Sequence, residues 1–121
     1  MGTAPDADLG EALLAQVRDA LAAGTPLAVR GGGSKAWYGR PVAGAPLDTR
    51  GHRGIVSYDP SELVVTVRAG TPLAELEATL DANGQMLACE PPHFGSDATV
   101  GGMTAAGLSG PRRPWVGSVR D

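Results

Sequence analysis

Pro26-Leu27-Ala28-Val29-Arg30-Gly31-Gly32-Gly33-Ser34-Lys35 is a short apolar segment that runs straight into three glycines, a hydroxyl and a positive charge. Glycines at the end of a strand let the backbone turn sharply and point several N–H groups to one side, which is how a chain holds phosphate. Which phosphate-bearing molecule is held depends on what surrounds this loop.

Upstream, residues 7–23 read as an amphipathic helix, with Leu9, Leu13, Leu14, Val17 and Leu21 recurring on one face. Asp8 and Glu11 stand at capping-box spacing, and Gly24 suits the position that ends a helix. Residues 27–30 form a short strand. From Ala36 to Pro46 no regular element is expected, because Gly39, Pro41, Gly44 and Pro46 break a helix or a central strand.

Downstream, residues 54–58 and 63–68 read as two strands of an antiparallel hairpin turned by Asp59-Pro60-Ser61-Glu62. A second helix follows, with Thr71 as N-cap, Pro72 in its first turn, Leu73, Leu76 and Leu80 on one face, and Asn83-Gly84 as the stop. Residues 86–88 read as a further short strand. After Cys89 the pattern breaks at Glu90-Pro91-Pro92-His93-Phe94-Gly95, then Thr99 to Gly107 reads as a turn leading into one or two turns of helix. The order helix, strand, glycine loop, hairpin, helix, strand predicts an α+β fold with helices packed on a small mixed sheet. From Leu108 to Asp121 the sequence is loop chemistry, which leads to the expectation that this is the first part of a larger domain, against the alternative of a disordered tail.

Composition narrows the function classes. With 121 residues and 42% hydrophobic content the chain can build one core, and the net charge of −3 with scattered Lys and Arg argues against a nucleic-acid surface. A single cysteine excludes an internal disulfide framework and a cysteine-rich metal site. The first residues lack a basic segment followed by an apolar one, and no apolar run reaches the roughly 18 residues of a membrane span, so a cytoplasmic protein is the default expectation. The 18 glycines and 10 prolines gather at 31–46, 91–95 and 101–117, between periodic segments, as ordered loops around a ligand or as simple connectors.

Three sequence grammars are open to the first glycine loop. A Walker A loop requires Gly-Lys-Ser/Thr four residues after a glycine, and here Ser34 precedes Lys35. A Rossmann fingerprint is available as Gly31, Gly33 and Ala36 with Asp48 on a ribose, yet it needs a helix directly after the loop, which the breakers at 39–46 oppose. The third grammar divides the site: phosphates lie against Arg30 to Lys35, and a second set of N–H groups comes from Thr99 to Gly102, where Gly101 and Gly102 permit close approach.

Arg30-Gly31-Gly32-Gly33-Ser34-Lys35, Gly54-Ile55-Val56 with Tyr58-Asp59-Pro60, Glu62-Leu63-Val64-Val65, Ala69-Gly70-Thr71-Pro72-Leu73 and Ala98-Thr99-Val100-Gly101-Gly102 together resemble the FAD-binding domain of the vanillyl-alcohol oxidase and p-cresol methylhydroxylase (PCMH-type) superfamily. Glu90-Pro91-Pro92-His93-Phe94, Gly107-Leu108-Ser109-Gly110-Pro111-Arg112-Arg113 and Val119-Arg120-Asp121 are similar, more narrowly, to the FAD-binding E-subunit family of bacterial glycolate oxidases. The resemblance runs from about Asp6 to the last residue.

The resemblance implies a PCMH-type fold of two subdomains with FAD between them, residues 7–90 forming the first and 91–121 opening the second. It implies that Gly31, Gly32, Gly33, Ser34 and Lys35 contact the pyrophosphate. Pro91, Pro92, Thr99, Gly101, Gly102, Gly107, Ser109 and Gly110 would line the flavin and its ribityl-diphosphate chain, with Val119 near the adenine. Relatives with covalent flavin often carry His in or after the glycine loop; Ser34-Lys35 here implies non-covalent FAD.

The activity implied is that of an FAD-dependent oxidoreductase subunit, in a complex oxidising a 2-hydroxy acid such as glycolate to the 2-oxo acid. Its partners would be a second flavin subunit and an iron–sulfur subunit, through which any membrane association would arise. The alternative is a non-catalytic half-domain with a structural or assembly role and no FAD binding of its own.

Other residues carry weaker expectations. Cys89 reads as a buried inert thiol, His52 as part of a solvated loop, and His93 as approaching the flavin or bonding within its loop. Arg112 and Arg113 read as phosphate or partner contacts or as solvated arginines, Trp37 and Trp115 as loop core, and Glu75 and Glu77 as a solvated helix face. No paired carboxylates, Ser-His-Asp set or metal-ligand spacing stands out, so the catalytic residues are unknown and no metal is expected.

Overall fold

Asp59 Oδ1 accepts from the Ser61 N–H (3.0 Å), the Ser61 hydroxyl (2.6 Å) and the Glu62 N–H (3.3 Å), closing a side-chain turn of the kind Asp favours. Leu63 completes that turn in the left-handed region, at φ 57°. The turn joins β3 (Ile55–Asp59) to β4 (Val64–Val67), which pair antiparallel with Tyr58 opposite Val65 and a register irregularity between Ile55 and Ser57. The expected hairpin is present, with Leu63 in the turn rather than in the strand.

The computed structural model describes residues 4–121. Before the hairpin come α1 (Gly10–Ala23), β1 (Leu27–Arg30) and β2 (Ala45–Asp48); after it come α2 (Leu73–Asp81), α3 (Val100–Ala106) and α4 (Arg113–Val116). The architecture is α+β. The strands form two separate two-stranded sheets, parallel β1–β2 and antiparallel β3–β4, instead of the single mixed sheet that was expected.

Strand β2 was not expected, because Pro46 lies inside it. Ala45 and Thr49 donate their N–H groups to the Pro26 and Arg30 carbonyls, both at 2.9 Å. Alternate residues face the partner strand, so the missing N–H of Pro46 belongs to the open edge, where proline costs no ladder bond. The expected strand at 86–88 does not form. Instead the Glu90 N–H donates to the Leu87 carbonyl (3.1 Å), curling this segment into a turn.

The helix boundaries depart from expectation in informative ways. Helix α1 ends at Gly24 in the left-handed conformation (φ 66°), as its position implied. Its start carries no capping box: Asp8 Oδ1 accepts from the Gly10 N–H (2.9 Å), and the Leu9 N–H donates to His52 Nδ1 (3.0 Å). His52 is therefore a half-buried acceptor that anchors the helix, not a solvated loop residue. At α2 the cap position is Pro72, while the Thr71 hydroxyl is fully buried and accepts from the Gly54 N–H (2.9 Å), locking α2 to the start of β3. The four-residue helix α4 interrupts what read as continuous loop.

One apolar cluster holds these elements: Leu73, Leu76 and Leu80 of α2, Val100 and Met103 of α3, with Cys89 and Ala98. Ile55, Tyr58, Val65 and Val67 of the hairpin pack against it, so residues on both sides of position 90 share one core. The Tyr58 hydroxyl bonds Gln85 Oε1, and Gln85 Nε2 donates to the Pro60 carbonyl (2.8 Å), tying the hairpin turn to the end of α2. Helix α1 contributes no buried residue, and Leu21 is 80% exposed. Of its apolar face, Leu14, Val17 and Leu21 lie exposed, while Leu9 and Leu13 are half-buried. No helix of the described residues is long and apolar enough to cross a membrane.

Candidate functional site

Strand β1 delivers the chain to Arg30, whose carbonyl accepts from both the N–H (2.9 Å) and the hydroxyl (3.0 Å) of Thr49. The chain then leaves the sheet. Among the described residues, the N–H groups of Gly31, Gly32, Gly33, Ser34 and Lys35 donate to no protein acceptor, whereas carbonyls of the same loop accept from Ala36 and Tyr38. Gly33 adopts φ 71°, a left-handed position within this run. Successive free amides around such a residue form an anion-binding concavity. A cleft of about 510 Å³ opens here, lined by Arg30, the three glycines, Asp48 and Arg50.

The glycine loop rests on the segment leading into α3. A Cβ placed on Gly32 would lie 1.5 Å from the Asp97 carbonyl oxygen, and one on Gly31 would lie 2.6 Å from Thr99 Oγ1. Both contacts are shorter than any real Cβ makes. Gly31 and Gly32 thus allow the chain to approach itself, setting the glycine loop against residues 97–99.

The second half differs from expectation in one physical respect. Its amides were expected to face a ligand, but the N–H of Val100 donates to the Thr71 carbonyl (2.9 Å), that of Gly101 to Ala69 (2.8 Å), and that of Gly102 to Thr99 Oγ1 (3.1 Å). Thr99 is 5% exposed and serves as the N-cap of α3. The helix start is satisfied internally, and a Cβ on Gly101 would meet the Ala69 Cβ at 2.8 Å.

A third group of expected residues assembles around Cys89. Pro91 is buried and Pro92 half-buried; Gly107 ends α3 in the left-handed conformation at φ 64°. The Gly110 N–H donates to the Cys89 carbonyl (2.9 Å), which brings the 107–112 loop against the Glu90-Pro91-Pro92 segment. Between these glycines, the Ser109 hydroxyl oxygen is buried without a hydrogen-bond partner. Such an orphan carries a cost unless a ligand or water completes it. Val119, expected near the adenine, is half-buried and packs against the apolar core.

Aromatic side chains connect the glycine loop to the proline loop. Trp37 donates its indole N–H to the Ser34 carbonyl (3.0 Å) and meets Phe94 edge-on at 5.2 Å between centroids, and Lys35 Nζ sits 5.8 Å from the Phe94 ring. Trp37 and Trp115 are 66% and 83% exposed, so neither fills a loop core. Among the remaining candidates, His93 pairs with Glu77 (2.8 Å), Glu75 pairs with Arg53, and the Arg112 backbone N–H donates to Glu90 Oε1 (3.0 Å). Burial pushes the Cys89 thiol above its ordinary pKa, as suits an inert thiol. Sequence reasoning missed Asp97 and Arg50, which carry no local motif and become neighbours of the glycine loop only through folding.

The sequence pattern of the FAD binding domain matches residues 10–121, and so spans every element described above. The chain belongs to this FAD binding domain family. It is also similar to glycolate oxidase subunit GlcE of Escherichia coli (strain K12), with 61% identity over 116 residues, covering 96% of this chain and 33% of that protein. The chain thus spans about a third of the length of this curated relative. FAD suits the donors present: free amides and Lys35 answer the charge of a diphosphate, and the orphaned Ser109 hydroxyl answers a polar edge. The FAD binding domain therefore presents its amide cradle at the end of β1 and its unsatisfied hydroxyl after α3.

Proposed function

We propose that this chain is the FAD-binding part of a glycolate oxidase-like subunit, working in a complex that oxidises a 2-hydroxy acid to the 2-oxo acid and passes electrons to partner subunits. The observation that carries the reading is the run of five free amides from Gly31 to Lys35, set against Asp97 and Thr99. The likeness to subunit GlcE supports the choice of substrate class and of a multi-subunit setting. Partners of the kind implied, a second flavin subunit and an iron–sulfur subunit, belong to this proposal.

In this reading Gly31 to Lys35, with Arg30 beside them, hold the diphosphate, and the charge of Lys35 offsets the phosphate charge. Pro91, Pro92, Thr99, Gly101, Gly102, Gly107, Ser109 and Gly110 belong to the flavin side and Val119 to the adenine side. Thr99, Gly101 and Gly102 act by fixing α3, since their polar groups are engaged within the chain. The Ser109 hydroxyl is the group free to bond the cofactor. The absence of His after the glycine loop supports non-covalent binding. FAD, when bound, would accept the hydride, and with it both electrons, removed from the hydroxy acid.

Equilibrium dialysis of the chain against FAD, with NAD as control, tests the reading. Saturable retention of FAD with displacement by ADP is expected; no retention, or equal retention of NAD, would overturn it. The open apolar surface of α1 and of Val29, 71% exposed, favours a second reading in which the chain is an assembly piece that holds FAD only with its partners. Retention of FAD by the chain alone excludes that reading.

A further inference from the structure

Glu90 is one of two non-glycine residues with a left-handed backbone among those described, at φ 50°. A side chain in that conformation is held there against a cost of about 1 kcal/mol or more, so something in its surroundings imposes it. The surroundings are the 107–112 loop. The Cys89 carbonyl accepts from the Gly110 N–H at 2.9 Å, and Glu90 Oε1 accepts from the Arg112 N–H at 3.0 Å. Gly110 lies directly under the Glu90 side chain: a Cβ there would meet Glu90 Cβ at 2.6 Å, the Glu90 carbonyl oxygen at 3.1 Å and Oε1 at 3.2 Å. The left-handed turn at Glu90 thus wraps the side chain over Gly110 so that the carboxylate reaches the amide beyond it.

The enclosed loop carries Ser109, whose hydroxyl is buried and has no partner. Two bonds, one on each side of Cys89–Glu90, fix the backbone immediately after Ser109. We propose that Glu90 is a positioning residue for FAD: its carboxylate clasps the 107–112 loop and holds the Ser109 hydroxyl in place for the flavin side of the site. The proposal rests on the FAD reading above and assigns Glu90 no contact with the cofactor.

Three forms of the chain test it: wild type, Glu90→Gly and Glu90→Gln. Glycine removes the carboxylate and relieves the backbone strain, so the variant folds; glutamine keeps an acceptor oxygen at the same reach. Amide exchange at Gly110 and Arg112 is measured without cofactor, and FAD affinity by dialysis. Glu90→Gly is expected to raise exchange at both amides and to weaken FAD binding about tenfold, as loss of the hydrogen bond that holds the loop implies. Glu90→Gln should stay close to wild type in both measurements. Unchanged FAD affinity in Glu90→Gly, whatever its exchange, overturns the positioning role while leaving the FAD reading intact. A wild-type chain that retains no FAD overturns both.

Discussion

Arg53 and Glu75, 22 positions apart, form an ion pair whose guanidinium end is almost wholly buried while the carboxylate remains one-third exposed. The pair joins the start of the hairpin to the first turns of α2, beside the Thr71 hydroxyl that bonds Gly54. The asymmetry of burial decides which half is dispensable. A carboxylate stripped of its partner turns to water, whereas a buried guanidinium has nowhere to go. Glu75→Ala is therefore expected to cost about 2–3 kcal/mol, and Arg53→Met, which keeps the packing volume, clearly less. Urea unfolding midpoints of the two variants give the comparison, and equal losses would contradict it.

The glycine loop makes a second contrast. Gly32 lies so close to the Asp97 carbonyl that an added methyl forces the two loops apart, while Gly33, at φ 71°, has open space beside it. Gly32→Ala should lose about 2–3 kcal/mol and, with it, the joined site; Gly33→Ala should show only the strain of a left-handed alanine, about 1–2 kcal/mol. Thermal unfolding orders the two variants. FAD dialysis should then show the greater loss in Gly32→Ala, and the reverse order would mean that the contact with Asp97 does not build the site.

Why some of this was legible in the chain and some was not follows from the range of each interaction. The hairpin and the left-handed stop at Gly24 rest on neighbours within a few residues, and both read correctly from local pattern. Strand β2 escaped notice because Pro46 is a breaker only where its N–H would face a partner. Glu75 and Glu77 read as solvated because their partners, Arg53 and His93, stand 22 and 16 positions away. The glycine run announced a phosphate cradle, yet the use of Gly31 and Gly32 for contact with residues 97–99 is visible only once the loops meet. For α1 the apolar stripe exists, but its later part, Leu14, Val17 and Leu21, is left exposed.

Acid should reveal the pair at the rim of the cleft. Hydrogen bonds from the Arg50 side chain, and then from its backbone N–H, hold the Asp48 carboxyl at about 2, below the ordinary value of 3.8. A carboxylate depressed in the folded state adds stability that is full above the unfolded value and fades as pH falls from about 4 toward 2. Both partners are largely exposed, so the contribution is about 0–1 kcal/mol. The difference in melting temperature between wild type and Asp48→Asn should be small near neutrality and vanish near pH 2. A difference that grew with acid would show that another group is responsible.

Core and surface leucines test where the folding energy lies. Leu73 is fully buried among α2, α3 and the hairpin, whereas Leu21, on the last turn of α1, is 80% exposed. Truncating Leu73 to alanine removes contacts that its neighbours cannot replace and should cost about 2–5 kcal/mol. Truncating Leu21 should change stability by no more than about 0.5 kcal/mol, although both residues occupy apolar helical stripes in the sequence. Denaturant titration of the two variants distinguishes them. If Leu21→Ala cost as much as Leu73→Ala, the stripe of α1 would be buried in solution, and the open face described for this helix would be covered by a contact outside the fold of a single chain.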